Sequence, residues 1–468
     1  MKYRLQQLFP FLWLVIALTA CRQDPPLAEE SVYEFPTAES PEAVGLDSEM
    51  LAAIDSTVQA QIDSVHIQGL EVLVLRQGQV AYHKSFGYSS LEDKTAMGRD
   101  DIFRLASMTK PITSVAALIL LDEGHFQLDD PISKFLPEFA DIQVLEEMNL
   151  ETAEYTSVPA EREITFRDLF THSSGIGYGF IQAEADILYS SKDIPDAWTL
   201  ENDVLADKMK ALSTVPLLHQ PGEKWTYGMS IDLLGRIVEV ISGQSLSNFM
   251  SSRIFEPLGM DDTYFYLPEE KADRLIPVYG INPAGELVAA AQSDSIMRER
   301  FAKGSKAEGF SDSQIDSLAE AMINFPINGA KSYYSGGGGL VGTTEDYARF
   351  GQMLTNGGEL NEFRMLEATT VKLMSTNQFK EDAPFGLGVH VSPVSEGATH
   401  PDQVGAFGWG GYFGTTYFSD PSEDLTVVIN GQSNPNKYLE TLRGNISKMI
   451  YESIIKETEK EVVQTSQR

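Results

Sequence analysis

Apolar residues recur along this chain with two different periods. From Asp47 onward Leu51, Ile54, Val58 and Ile62 fall on one face, which predicts an amphipathic helix. The stretch "GLEVLVLRQGQVAYHKSFGYSS" then offers two β-rich runs broken at Arg76-Gln77-Gly78-Gln79, a hairpin signature. Helical spacing returns with Met108, Ile112, Val115, Leu118 and Leu121, so a helix opens near Ser107. Pro111 falls in its first turn, where a missing N–H costs least. From there to about Asn328 the pattern mixes helix and loop, with long polar insertions near 141–163, 180–205 and 269–328. "GTTYFSDPSEDLTVVINGQ" predicts a second hairpin turning at Asp420-Pro421-Ser422-Glu423, and "YLETLRGNISKMIYESIIKE" a closing helix. Strands at both ends with helices inserted between them imply an α+β fold. Its mainly antiparallel sheet is flanked by helices and carries an inserted helical subdomain.

The first residues follow neither period. Lys2 and Arg4 precede the apolar run "LFPFLWLVIALT", which is short for a membrane span and reads as a signal peptide over 1–20. Leu18-Thr19-Ala20-Cys21 resembles the bacterial lipobox, which implies cleavage before Cys21 and lipidation of its thiol. Two or more acyl chains would hold the protein stably at a membrane. The polar, proline-rich segment that follows reads as a tether over 21–43, ahead of a main domain at 44–455 and a polar tail at 456–468. The expected location is the bacterial cell envelope, periplasmic or surface-facing.

Composition narrows the function. Cys21 is the only cysteine among 468 residues, which excludes an intramolecular disulfide and a cysteine-based metal site. A formal charge of −33 argues against nucleic acid, whose phosphates demand Lys and Arg. It reads instead as a solubility feature of a solvated surface. The scattered His83, His125, His390 and His400 show no metal-ligand spacing, so neither metal nor cofactor is expected. Gly337-x-Gly339-x-x-Gly342 matches a dinucleotide fingerprint only because four glycines stand in a row, without a βαβ unit to support it. No G-x-S-x-G elbow occurs.

The candidate chemistry lies at the helix opening. Ser107 and Lys110 stand three apart, so hydroxyl and ammonium share one face. Alone the spacing says little, since most such pairs are a cap and a solvated lysine. Further stretches change this: "ITFRDLFTHSSGIG" from Ile164, "WTYGMSIDLLGRIVEVISG" from Trp225, "IFEPLGMDDTYF" from Ile254, "SGGGGLVGTTEDYARFGQML" from Ser335 and "GWGGYFGT" from Gly408. With Ser107-Met108-Thr109-Lys110 they resemble, in order, the serine β-lactamases and penicillin-binding proteins. The likeness is to the class C branch that includes the family VIII carboxylesterases.

That resemblance implies a β-lactamase/transpeptidase-like fold in which Ser107 attacks and Tyr227 exchanges protons. Lys110 would hold the phenolate or act as base itself. Serine is too weak a nucleophile at neutral pH without such a neighbour. The resemblance also places Trp409-Gly410-Gly411 on a strand edging the site, with the backbone N–H of Tyr412 joining that of Ser107 as an oxyanion hole. Two departures matter. Trp409 stands where lactamases and peptidases carry the lysine of K-T-G, which removes a cation for a substrate carboxylate and favours neutral esters. Met229 replaces the asparagine of Y-x-N, with Ser230 as a partial substitute. His172 in "THSSG" is expected to shape a turn, Thr343 or Thr344 to cap the helix that follows the glycines, and Asp346 to serve that helix start.

The expected function is an exported serine hydrolase working through an acyl-serine, a carboxylesterase on neutral esters, with a small-molecule ester or amide as its expected substrate partner. The alternatives are a D-amino-acid peptidase or weak β-lactamase, an acyl transferase to a second alcohol, or an acylatable binding protein without turnover.

Overall fold

The computed structural model describes residues 33–290, 312–380, 383–392, 405–434 and 436–455. The expected signal peptide, Cys21 and the tail at 456–468 lie outside the described residues. The expected tether is described only from Tyr33. From Phe35, which is buried, it lies against the body, and Thr37 bridges Val80.

The β-rich runs at the two ends of the chain meet in one seven-stranded sheet. Its order is His390–Val391, Phe407–Gly410, Thr415–Asp420, Leu425–Asn430, Gly69–Arg76, Gln79–Ser90 and Thr95–Ala96. Every pairing is antiparallel. Both expected hairpins form. The first turns at Gln77 and Gly78, each with positive φ, the two-residue turn whose twist suits a hairpin. In the second, Asp420 Oδ1 accepts from Ser422 N at 3.0 Å and Oγ at 2.6 Å, closing a side-chain turn.

The central strand Gly69–Arg76 is buried along its whole length because the sheet is covered on both faces. Val72 and Val74 face the terminal helices Ser48–Asp63 and Lys437–Glu452, against Leu51, Val58, Leu442 and Ile446. The alternate residues Leu73 and Leu75 face the main core. That core holds the helices Thr109–Asp122, Ser230–Ser242 and Thr344–Thr355. The helix from Ser48 opens as the pattern predicts, with Asp47 capping Glu49 and Met50 N–H groups at 2.8 and 3.0 Å.

The region expected to be helix and loop also contains strands. The insertion near 141–163 is a hairpin, Gln143–Met148 with Tyr155–Pro159, and Tyr279–Ile281 pairs with Leu287–Ala289 inside the third insertion. Arg104, buried in the short strand just before Ser107, ties that third insertion down. Its guanidinium donates to Ile323 O and Ile276 O, both at 2.6 Å, and to Asn324 Oδ1 at 2.7 Å. Burial pulls this guanidinium down to about 9.

Candidate active site

Ser107 stands on a strained elbow. The turn Ala106–Met108 leads into the Thr109–Asp122 helix, and Ala106 holds φ at 46°, a left-handed value that a Cβ disfavours. Such a residue costs roughly 1–3 kcal/mol and persists only when its surroundings hold it. Here they do: Leu105 N bonds Leu340 O at 3.0 Å, and Leu105 O accepts from Thr415 Oγ1 at 3.3 Å.

The helix it opens is buried on nearly every side, and Lys110 is buried with it. Its ammonium uses three donors, to Ser107 Oγ at 3.3 Å, Tyr178 Oη at 2.9 Å and Gly337 O at 2.6 Å. It also lies 4.7 Å from the centre of the Tyr227 ring. Tyr227 Oη is 2.7 Å from Ser107 Oγ. Serine, lysine and tyrosine, 120 residues apart at the extremes, therefore form one hydrogen-bonded group.

Two side chains not foreseen in the sequence complete it. Tyr178 is fully buried beside Lys110, with its ring edge-on to that of Tyr227 at 5.3 Å. Burial, and then the Asp232 carboxylate, push its hydroxyl well above the ordinary phenol range, so it meets Lys110 as a neutral phenol. Asp232 lies in the first turn of the Ser230–Ser242 helix, which packs against the Thr109–Asp122 helix. Its Oδ1 accepts from Ser335 Oγ at 2.6 Å and from Gly337 N at 3.0 Å. Burial pushes its carboxyl up, while the Lys110 charge and these hydrogen bonds pull it back. The same glycine residue thus receives the lysine on its carbonyl and presents its N–H to the aspartate.

The Tyr178 loop and the Tyr227 loop touch backbone to backbone. A Cβ on Gly228 would lie 2.1 Å from Ile176 O and 2.6 Å from Gly177 Cα, so only glycine permits the approach. This gives the middle residue of Tyr227-Gly228-Met229 its reason. Met229 is buried in the main core. The expectation that Ser230 substitutes for the missing asparagine does not hold, because its hydroxyl is buried against Ser174 Oγ at 2.8 Å. The polar group beside Lys110 is Tyr178 instead.

Trp409 lies on the strand Phe407–Gly410, half-buried, with its ring 5.7 Å from Tyr227 and 5.3 Å from Phe385. Gly410 is exposed at the strand end. Gly411 meets the turn ahead of Ser107 so closely that a Cβ would stand 2.3 Å from Leu105 O. This brings the Tyr412 backbone beside the Ser107 turn, while its ring packs toward Phe413 and Trp198. Trp198, from the second insertion, donates to Gly338 O at 2.8 Å. His172 turns with φ at 53° and is wholly buried against Tyr227, Trp225 and Phe385. Burial and the Lys110 charge hold its imidazole well below 6.5, so it is a neutral wedge. Thr343 caps its helix, accepting from Asp346 N at 3.2 Å. Among the described residues no cluster of three His, Cys, Asp or Glu side chains is arranged to hold a metal ion.

The beta-lactamase family model matches residues 54–447. The chain belongs to the β-lactamase family. Esterase EstB of Burkholderia gladioli is 27% identical to it over 394 residues, covering 83% of this chain and 92% of that one. An Escherichia coli protein provisionally named a D-alanyl-D-alanine carboxypeptidase is 27% identical over 447 residues, covering 87% and 90%. EstCE1, described as a hydrolase with promiscuous acyltransferase activity, matches in structure with a TM-score of 0.68 at 26% identity, covering 87% of this chain and 99% of its own. This β-lactamase-family chain is thus a serine hydrolase on a β-lactamase/transpeptidase-like fold, near the family VIII esterases.

Proposed function

We propose that this hydrolase is an exported carboxylesterase that cleaves neutral esters through an acyl-Ser107 intermediate. The observation that carries the reading is the pairing of Ser107 Oγ with Tyr227 Oη at 2.7 Å beside an aromatic wall at Trp409. As Ser107 attacks the ester carbonyl, its proton passes to Tyr227, which then delivers it to the departing alkoxide. Lys110 holds Tyr227 as the phenolate that takes this proton, and is itself steadied by Tyr178 and by Gly337 O. The backbone N–H groups of Ser107 and Tyr412 receive the carbonyl oxygen as it becomes anionic. Water then enters and gives a proton to Tyr227 as its oxygen attacks the acyl carbon, and Tyr227 passes that proton to Ser107 Oγ as the acyl–oxygen bond breaks and the acid leaves.

Selectivity follows from Trp409. A lysine there would give a substrate carboxylate a charge-assisted hydrogen bond of roughly 1.5–3 kcal/mol, or about one to two decades in affinity. An indole gives only apolar and stacking surface. The same reading includes export and anchoring through Cys21, from the lipobox resemblance. The test is a panel of p-nitrophenyl butyrate, nitrocefin and a D-Ala-D-Ala peptide. The ester is expected to have the highest kcat/KM by more than tenfold. Faster lactam or peptide turnover contradicts the reading, and stoichiometric acylation without turnover favours a binding protein.

A further inference from the structure

Trp225 is a large apolar side chain left 38% exposed beside a catalytic group. Its ring lies nearly parallel to that of Tyr227, at 11° and 5.9 Å between centres. Buried Phe385 joins the two tryptophans, tilted against Trp225 at 5.9 Å and edge-on to Trp409 at 5.3 Å. The three rings and Tyr227 make an aromatic shelf whose stacked part is Tyr227 with Trp225, open to solvent at Trp225.

The chemistry of the site says which part of an ester reaches this shelf. Tyr227 Oη must stand within hydrogen-bond distance of the departing oxygen to protonate it. The same reading directs the carbonyl oxygen to the backbone N–H groups of Ser107 and Tyr412. The acyl chain is left with the wall beside Ala106, where Phe413, Tyr412 and Trp198 cluster. The group carried by the departing oxygen therefore extends across Tyr227 toward Trp225. An exposed indole continuing a stack suits a flat, apolar partner more than a flexible alkyl chain.

We infer that Trp225 is a specificity-determining residue that stacks on a planar aromatic leaving group, making aryl esters the preferred substrate class. This rests on the esterase reading. The bond broken is the acyl carbon–oxygen bond, the bond formed is acyl to Ser107 Oγ, and the serine proton leaves on the aryl alcohol.

The experiment compares 2-naphthyl acetate with ethyl acetate. Both give the same acetyl-Ser107 and the same deacylation, and they differ only in the leaving group. Intrinsic reactivity favours the naphthyl ester equally in wild type and variant, and any weakening of Tyr227 as proton donor would slow the ethyl ester more and so raise the preference rather than lower it. The preference, as a ratio of kcat/KM values, therefore isolates the shelf. Trp225→Ala is expected to lower this ratio about three- to tenfold, the scale of an aromatic pair, and Trp225→Phe to retain most of it. An unchanged ratio in Trp225→Ala overturns the inference. A second arm needs no turnover: 2-naphthol is titrated into the Ser107→Ala chain with and without Trp225→Ala. The double variant is expected to bind it weaker by the same factor, and equal affinity overturns the inference. If the wild type cleaves neither ester, the esterase reading falls and the naphthol titration still decides the shelf.

Discussion

Tyr178→Phe removes a single oxygen from the site and should disable it. The phenyl ring keeps its packing against Tyr227 and Phe180, at 5.3 and 4.8 Å between centres. Lys110 loses one of its three acceptors and keeps Gly337 O at 2.6 Å and Ser107 Oγ at 3.3 Å. The lost bond is to a charged donor in a buried place, so about 1.5–3 kcal/mol is at stake. Expressed fully in the transition state, that is about 10- to 150-fold in kcat/KM. The assay is hydrolysis of p-nitrophenyl butyrate by both chains, with thermal melts alongside. The folded chain loses the same buried bond, so the melting temperature should fall as well. A kcat/KM within about twofold of wild type refutes the claim that Tyr178 positions Lys110.

Two further outcomes follow from other parts of the chain. His172 resists a proton in the folded state that the unfolded chain accepts near 6.5, so its contribution is whole above that pH and lost below it. Between about pH 7.5 and 5.5, urea unfolding of the wild type should lose more stability than that of His172→Asn, which tolerates the left-handed backbone, by up to about 1.4 kcal/mol; equal losses refute it. On the proposed anchoring through Cys21, the wild-type chain should pellet with membranes on fractionation and Cys21→Ser should not; the same distribution for both contradicts the proposal.

What was legible in the sequence was local. Ser107 and Lys110 announce themselves because a helix turns residues three apart onto one face. The Arg76–Gln79 and Asp420–Glu423 breaks mark hairpins because their residues accept the backbone of tight turns. The Trp409-Gly410-Gly411 strand edge could be placed by its likeness to the family. Tyr178 could not, since its loop has no period and it reaches Lys110 only through the backbone contact that Gly228 permits. Asp232 reads in sequence as an ordinary acid in a helix's first turn, and only the packing of two helices puts it behind Lys110. The glycine run reads as a loop, whereas Gly337 uses both its N–H and its carbonyl in the site. The strands inside the insertions were hidden by their polarity: the outer hairpin Gln143–Met148 with Tyr155–Pro159 is largely exposed, so no apolar alternation marks it.

The central claim is that Ser107 carries the acyl group, and trapping it is the direct measurement. The protein is mixed with p-nitrophenyl butyrate, quenched in acid within the first turnovers, digested and read by mass spectrometry. A single butyryl adduct is expected on the peptide containing Ser107, disappearing as substrate is exhausted and absent from Ser107→Ala. An adduct on a different residue, or undiminished turnover by Ser107→Ala, would contradict the account.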